Sequence, residues 1–257
     1  MAPVVDLTGK RGLVAGIANA SSIAHGCARA FRAAGAELAV TYLNDKAEPY
    51  VRPLAEALEA PIIVPCDVRM PGQLEAVFER IASEWGRLDF LFHSIAFAPR
   101  EDLHASLVDC SAEGFAMAMD VSCHSFIRMA KLALPLMRQG GSLQTVSFYG
   151  ADRVVENYNL MGPVKAALES TVRTLAAQLA DKGVRVHALS AGPVMTRAAS
   201  GIERFDELLD RVRDRTPARQ LVTIEQIGRV AAFLASEAGA PLTGSVTYAD
   251  HGFHIVA

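Results

Sequence analysis

The sequence predicts a doubly wound α/β fold, in which a parallel sheet of about seven strands is flanked by helices. Short apolar runs alternate along the chain with segments of helical periodicity. Helical segments of ten or more residues between strands are typical of βαβ units and parallel sheets. Several runs are rich in β-branched residues, which fits strands buried on both faces. No Pro/Ser-rich linker and no solenoid-length repeat divides the 257 residues, so we expect a single domain over 1–257.

Each predicted strand is a short apolar run that ends at small or polar residues. The first contains Leu13, Val14 and Ala15 and ends at Gly16, and the fourth ends at His93. The predicted strands are residues 12–16, 37–42, 62–65, 88–93, 142–147, 184–189 and 245–248. In such sheets ligands bind beyond the carboxyl ends of the strands.

The predicted helices follow the strands and carry apolar residues at helical spacing. In the first of them Ile23, Cys27, Ala30 and Phe31 fall on one face. The predicted helices span residues 22–35, 47–59, 73–85, 113–138, about 160–181, 201–214 and 224–235.

The composition is that of an ordinary globular protein and argues against several functional classes. Hydrophobic residues make up 51%, charged residues 21%, and the formal net charge is −3. Without a basic block, nucleic-acid binding has little support. The first ten residues have no apolar signal core and no run reaches membrane-spanning length, so we expect a cytoplasmic protein. Neither the four cysteines nor the histidines have metal-ligand spacing, and we expect no metal and reduced thiols.

The loop after the first strand predicts a phosphate-binding turn. Gly16 is followed by Ser22 and Gly26, and the residues between are mostly small. Such a loop lets backbone N–H groups approach a pyrophosphate, and the next helix N-terminus adds its partial positive charge. The spacing is not that of the usual GxGxxG fingerprint. The alternative is a plain βα loop with Ser22 as the N-cap of the helix.

Other strand ends add features of a dinucleotide site. Asp67 follows the third strand, where it can accept from an adenine amino group or, alternatively, cap the next turn. No arginine stands at the end of the second strand, so NADH is favoured over NADPH. Small residues, Ser94 and Ala96 among them, follow the fourth strand, and Thr196 follows a Gly192-Pro193 turn after the sixth.

Tyr158 and Lys165 predict the chemistry. A phenol that donates a proton, with an ammonium nearby to lower its pKa, can stabilise a developing oxyanion. Seven residues are almost two helical turns, which would put both side chains on one helix face. Pro163 qualifies this geometry, because proline is tolerated only early in a helix. The helix should therefore start near Leu160 and leave Tyr158 just outside it. The pair indicates hydride chemistry on a carbonyl or a conjugated alkene.

These motifs together resemble the short-chain dehydrogenase/reductase superfamily, and within it the NADH-dependent enoyl-acyl-carrier-protein reductases. The pair Tyr158 and Lys165 has the Tyr-x6-Lys spacing of that branch, where commoner members have Tyr-x3-Lys. Matching segments are Gly16/Ser22/Gly26, His93-Ser94-Ile95 and Ser190 to Pro193. The resemblance extends from about Leu7 to Ile255.

The resemblance implies a Rossmann-like reductase domain with a mobile substrate-binding loop near 196–214. NADH would deliver hydride to a trans-2-enoyl thioester in fatty-acid elongation, Tyr158 would hold the enolate oxygen and Lys165 the nicotinamide ribose. The implied cofactor-binding residues are Gly16, Ser22, Ile23, Leu43, Asp67, Val68, Ser94, Ile95, Ala96, Lys165, Val194 and Thr196. The implied substrate-binding residues are Ala98, Phe148, Tyr149 and Ala198. An acyl-carrier-protein thioester as substrate and a homotetramer are implied as well.

Departures from the family pattern leave alternatives open. Phe148 stands where the family often has a second tyrosine, and Tyr149 follows it. Either Tyr149 substitutes for that phenol or the phenol is dispensable. We favour the latter, with Phe148 as an apolar wall, because adjacent residues leaving a strand tend to point opposite ways. Ser147 stands near the catalytic serine position of the commoner branch, and a structural role is favoured. A ketone or alcohol oxidoreductase and a non-catalytic NADH sensor are the competing functions.

Overall fold

The computed structural model describes residues 4–196 and 205–256, except the side chains of residues 205, 206 and 208. Its centre is a seven-stranded sheet in the order β3-β2-β1-β4-β5-β6-β7, and every strand pair is parallel. The strands are β1 Arg11–Ala15, β2 Glu37–Tyr42, β3 Ile62–Pro65, β4 Phe90–His93, β5 Gly141–Ser147, β6 Val184–Ala191 and β7 Val246–Ala249. The predicted fold class is confirmed, and the predicted strand bounds differ by at most two residues.

Helices cover both faces of this sheet. They are α1 Ile23–Ala33, α2 Glu48–Ala57, α3 Gln73–Trp85, α4 Arg100–His104, α5 Ala112–Met119, α6 Ser125–Ala133, α7 Met161–Leu179, α8 Phe205–Arg215 and α9 Ile224–Ala235. One apolar core lies between the sheet and α3, α6 and α7, and the other lies between the sheet and α1, α2 and α9. The strand order reverses between β1 and β4, and in doubly wound sheets the ligand crevice opens at that point.

Helices α1 and α9 cross at two glycines. A Cβ at Gly26 would lie 2.4 Å from the carbonyl oxygen of Ile224, and a Cβ at Gly228 would lie 2.4 Å from the carbonyl oxygen of Gly26. Only hydrogen at both positions permits this approach. This crossing fixes the position of α1, the helix that follows the predicted phosphate-binding loop after β1.

The predicted helical region over 113–138 is confirmed over residues 112–136, but its helix type changes along the way. Helix α5 ends at Met119, a π-helical turn spans Asp120–His124, and α6 begins at Ser125. The Ser125 hydroxyl donates to the carbonyl oxygen of Val121 at 2.6 Å, and such back-bonding competes with regular helix bonds. A 3₁₀ turn closes this region before residue 138. Helix α4 was not predicted, and residues 201–204 of the predicted helix 201–214 lie outside the described part of the chain.

Helix α7 begins where Pro163 predicts. Its N-cap is Leu160 and its first residue is Met161, so Pro163 lies in the first turn, where N–H groups have no helical partner. Tyr158 therefore precedes the helix, and the seven-residue step to Lys165 is not two regular turns. Asn157 and Asn159 on either side of Tyr158 have positive φ angles of 62° and 37°.

None of the helices in the described residues is both long enough and apolar enough to cross a membrane.

Candidate active site

A cleft of about 340 Å³ opens at the carboxyl edge of the sheet. Loops after β1, β2, β3 and β4 line it, together with Val146 of β5 and Lys165 of α7. The cleft contains eleven of the twelve predicted cofactor-binding residues: Gly16, Ser22, Ile23, Leu43, Asp67, Val68, Ser94, Ile95, Ala96, Lys165 and Thr196. The twelfth, Val194, packs against the apolar core beside α1 and α9 instead. The sequence therefore located this edge of the sheet through its strand ends.

The turn after β1 depends on Gly16 and Ser22. Gly16 has a φ of +112°, and a Cβ there would lie 2.0 Å from the carbonyl oxygen of Ser94. The buried Ser22 hydroxyl accepts from the backbone N–H groups of Ala18 and Asn19, both at 3.0 Å. Ser22 occupies the N-cap position of α1, but its side chain does not cap the helix. The hydroxyl instead shapes the loop in which backbone meets the cleft.

Asp67 is paired with an arginine that the sequence analysis missed. Its carboxylate accepts from the Arg69 guanidinium, at 2.6 Å between Oδ2 and Nη2 and 3.0 Å between Oδ1 and Nε. The backbone N–H of Arg69 also donates to Oδ1 at 3.0 Å, so the turn-capping alternative is realised. Hydrogen bonds from Arg69 hold the pKa of the Asp67 carboxyl below its usual value. The sequence prediction considered an arginine only at the end of β2. Because β2 and β3 pair in parallel, the loops that follow both strands reach the same cleft.

Lys165 is a buried ammonium in the lining of the cleft. Its Nζ donates to the carbonyl oxygen of Val146 at 2.7 Å, and the residue is 5% exposed. Burial lowers the pKa of the Lys165 ammonium to about 8, because a low-dielectric environment disfavours the charged form. Lys165 is therefore still charged at neutral pH, close to its point of deprotonation.

Tyr158 is a buried phenol that stays protonated. Burial raises the pKa of the Tyr158 phenol well above its usual value, and the negative charge of Glu169 raises it further. The expectation that an ammonium lowers this pKa is wrong, because burial and the Glu169 charge both disfavour the phenolate. A protonated phenol donates a hydrogen bond, which is the role that an oxyanion requires of it.

An aromatic cluster supports Tyr158. The Phe148 ring meets the Tyr158 ring edge-on at 4.9 Å between centroids, and it meets the Tyr149 ring at 4.6 Å. Tyr149 packs on Phe253 at 5.0 Å. The expectation that Phe148 and Tyr149 point opposite ways is wrong, because the strand ends at Ser147 and a 3₁₀ turn starts at Tyr149.

The other predicted substrate-side residues are placed unevenly. Ala98 is partly buried and packs against the cluster that contains Tyr158. Ala198 lies outside the described residues. Of the predicted loop near 196–214, Thr196 lines the cleft and residues 205–215 form α8, whose Val212 packs into the Tyr158 cluster.

The Ser147 hydroxyl is hydrogen-bonded to the buried carboxylate of Glu169. The hydroxyl donates to Oε1 of Glu169 at 2.5 Å, and Glu169 lies one turn beyond Lys165 on α7. Burial raises the pKa of the Glu169 carboxyl above its usual value. This bond commits the serine hydroxyl to the packing of β5 against α7.

His93 is the hub of a buried polar network behind the cleft. Its Nδ1 lies 2.8 Å from the Thr145 hydroxyl and its Nε2 lies 2.8 Å from the Ser125 hydroxyl. Burial lowers the pKa of the His93 imidazole to about 3, so the ring is neutral. Within the described ranges, no three His, Cys, Asp or Glu side chains are arranged to hold a metal ion.

A buried lysine in a crevice at the strand-order reversal, with a buried tyrosine seven residues before it, is typical of a nicotinamide-dependent reductase of the short-chain class. A family model described as enoyl-(acyl carrier protein) reductase matches residues 16–254. The chain belongs to this family.

Curated relatives and solved structures agree with that assignment. An enoyl-acyl-carrier-protein reductase (NADH) of Aquifex aeolicus is 43% identical over 97% of this chain and 93% of its own. The Escherichia coli enzyme of the same name is 44% identical over 98% of this chain and 96% of its own. The Aquifex aeolicus crystal structure superposes with a TM-score of 0.94 at 42% identity, covering 98% of each chain. The Anaplasma phagocytophilum reductase, solved in complex with NAD, gives 0.94 at 42% identity, covering 100% of this chain and 97% of that one.

Proposed function

We propose that this chain reduces the carbon–carbon double bond of trans-2-enoyl-acyl-carrier-protein thioesters with NADH, in fatty-acid elongation. The observation that carries the proposal is a charged, buried Lys165 in the lining of the cleft, with the protonated Tyr158 buried in the aromatic cluster against which Ala98 packs. Hydride transfer to such a substrate creates negative charge on the thioester oxygen. A fixed phenol and a nearby ammonium stabilise charge at that position.

The cleft fits a dinucleotide. At Gly16 only hydrogen separates the backbone from Ser94, so the β1 turn stays flat enough for a pyrophosphate to lie on its N–H groups. Apolar Ile95 and Val121 line the cleft and would pack against flat rings. The guanidinium of Arg69 is already neutralised by Asp67, which supports NADH rather than NADPH.

Tyr158 and Lys165 would have separate roles in this reduction. Bound NADH supplies the hydride, which adds to the β-carbon while the π electrons move toward the thioester oxygen. The Tyr158 hydroxyl donates a hydrogen bond to that oxygen as charge develops. The Lys165 ammonium binds the ribose hydroxyls and adds its positive field. Water then supplies the proton that the α-carbon takes up, and a saturated thioester and NAD⁺ would leave the site.

Two comparisons of substrates and variants test this function. The wild-type protein should oxidise NADH with crotonyl thioester and not with acetoacetyl thioester. Tyr158→Phe should lower kcat by about 100-fold or more while NADH affinity stays unchanged, because the phenol acts only on developing charge. Reduction of the ketone alone would favour the ketone oxidoreductase. NADH binding without turnover of any enoyl thioester would favour the sensor.

Finer assignments belong to the same proposal. Phe148 is proposed as an apolar wall of the acyl pocket beside Ala98, with the second phenol dispensable and Tyr149 only its reserve, and Ala198 is proposed as a further substrate-binding residue. Val194 is proposed to meet the nicotinamide. Phe148→Leu should change KM for long acyl chains more than for crotonyl, and equal effects on both would contradict the wall. A higher kcat/KM for crotonyl-acyl-carrier-protein than for crotonyl-coenzyme A would support the carrier-protein substrate.

A homotetramer is proposed from the surface of α5 and α6. Phe115, Met117 and Ile127 are exposed there, and neighbouring exposed apolar side chains suit a subunit contact. Light scattering of the purified protein should give four times the mass of the 27.5 kDa chain, and a monomer would contradict the proposal. The four unpaired cysteines fit a reducing, cytoplasmic location.

A further inference from the structure

Arg69 reaches across the cleft to a loop that is distant in the sheet. It follows β3, which is separated from β4 by β2 and β1 in the strand order. Its guanidinium carbon nevertheless lies 5.5 Å from the centre of the Phe97 ring, in the loop after β4. Both residues line the cleft and both are partly exposed. The contact therefore joins the loop after the edge strand β3 to the loop after β4, past the ends of β2 and β1.

Both ends of this bridge are anchored. On one side the Asp67 carboxylate holds the guanidinium in its plane by three side-chain hydrogen bonds. On the other side the Ser122 hydroxyl accepts from the Phe97 N–H at 2.9 Å and donates to the Phe97 carbonyl oxygen at 3.1 Å. Ser122 belongs to the π-helical turn that replaces regular helix there. Hydrogen bonds within the chain therefore hold the Arg69 guanidinium and the Phe97 backbone.

The chemistry of the bridge suits a purine base. A planar guanidinium packs on aromatic faces, and its charge is attracted to their π electrons. Since Asp67 neutralises Arg69, the pair offers little net charge to a phosphate. Leu43 adds an apolar wall from the end of β2, and the Asp67 carboxylate can still accept from an exocyclic amine.

We propose that Arg69 is a cofactor-binding residue, and that Arg69 and Phe97 together form a wall on which the adenine base packs. This inference rests on the proposed function, because it assumes that the cleft holds NADH. Contact with this wall should supply much of the binding affinity of the adenosine half of NADH. The nicotinamide half should depend on it far less.

The test compares NADH with reduced nicotinamide mononucleotide, which lacks the adenosine half. Arg69→Ala should lower kcat/KM by about tenfold with NADH, chiefly through KM, and by at least fivefold less with the mononucleotide. It should weaken direct binding of ADP-ribose by a similar factor. Arg69→Lys should resemble Arg69→Ala, because lysine keeps the charge and loses the plane. The matched control is Arg80→Ala, which removes an exposed arginine paired with Glu84 on α3 and should change neither ratio.

A second variant and a second readout separate the possible failures. Phe97→Leu keeps an apolar side chain without a π face and should produce the same adenosine-specific loss. Equal losses with NADH and the mononucleotide, or unchanged ADP-ribose binding in both variants, would overturn the role of Arg69. ADP-ribose binding needs no turnover, so it reports on Arg69 even if the wild-type protein fails to reduce enoyl thioesters.

Discussion

Replacing Lys165 by methionine should make the protein more stable and inactive. Methionine keeps an unbranched chain of similar length and removes the ammonium. Lys165 is 5% exposed, and burial lowers its pKa from 10.5 to about 8. The folded protein therefore holds a charged group in an environment that disfavours the charge. The proposed mechanism uses that charge, so stability and activity should change in opposite directions.

The size of the gain follows from the pKa. A displacement from 10.5 to about 8 corresponds to about 3 kcal/mol against the ionised form in the folded state at pH 7. The variant also leaves the Val146 carbonyl oxygen without its 2.7 Å donor, which costs about 1–2 kcal/mol. The net gain should be about 1–2 kcal/mol, or roughly 3–6 °C in Tm for a chain of this length.

Thermal melts of both proteins at one protein concentration, at pH 7 and pH 10, measure this effect. Below pH 8 lysine is charged in both states, so the folded state bears the full penalty. Between pH 8 and 10.5 the folded wild type releases its proton while the unfolded chain keeps it, and wild-type stability rises relative to the variant. The advantage of Lys165→Met should therefore shrink by pH 10. Lys182→Met, at an exposed site, should not change Tm appreciably. A lower Tm of Lys165→Met at pH 7, or an equal gain at both pH values, would refute the reasoning.

Three further substitutions have defined outcomes. Gly16→Ala places a Cβ 2.0 Å from the Ser94 carbonyl oxygen and should abolish detectable NADH binding by fluorescence titration, whereas Gly72→Ala, with φ +83° and open space around it, should cost only about 1 kcal/mol. Gly26→Ala should lose about 3 kcal/mol or more in urea unfolding by forcing α1 from α9, and a loss under 1 kcal/mol would contradict the tight crossing. The pKa of His93 is about 3 in the folded protein and 6.5 in the unfolded chain. Its contribution to the free energy of unfolding is therefore complete above pH 6.5 and is lost as the pH decreases toward 3. Wild type should lose about 2 kcal/mol from this group between pH 7 and pH 5, and His93→Gln should lack that part of the slope.

Local sequence patterns were sufficient for the sheet. Each strand is an apolar run between small or polar residues, and parallel order follows from the helices between them. The start of α7 was also predictable, since Pro163 can occupy only the first turn. These features depend on neighbours along the chain, which the sequence displays directly.

Features that depend on distant neighbours were not predictable in the same way. The π-helical turn at Asp120–His124 keeps helical apolar spacing, so periodicity did not reveal it. The raised pKa of Tyr158 reflects burial, which only the packed cluster determines. Arg69 lies two residues after Asp67 in sequence, but its contact with Phe97 arises from the sheet order.

The glycine crossing of α1 and α9 has a consequence during protein synthesis. The buried face of α1 forms near the start of translation, but its partner α9 spans Ile224–Ala235. Until the ribosome has released that helix, the face of α1 around Gly26 has no cover, whereas the face around Phe31 packs on β4. The nascent chain should therefore expose a chaperone-binding segment for most of its elongation, and acquire cofactor affinity only at the end.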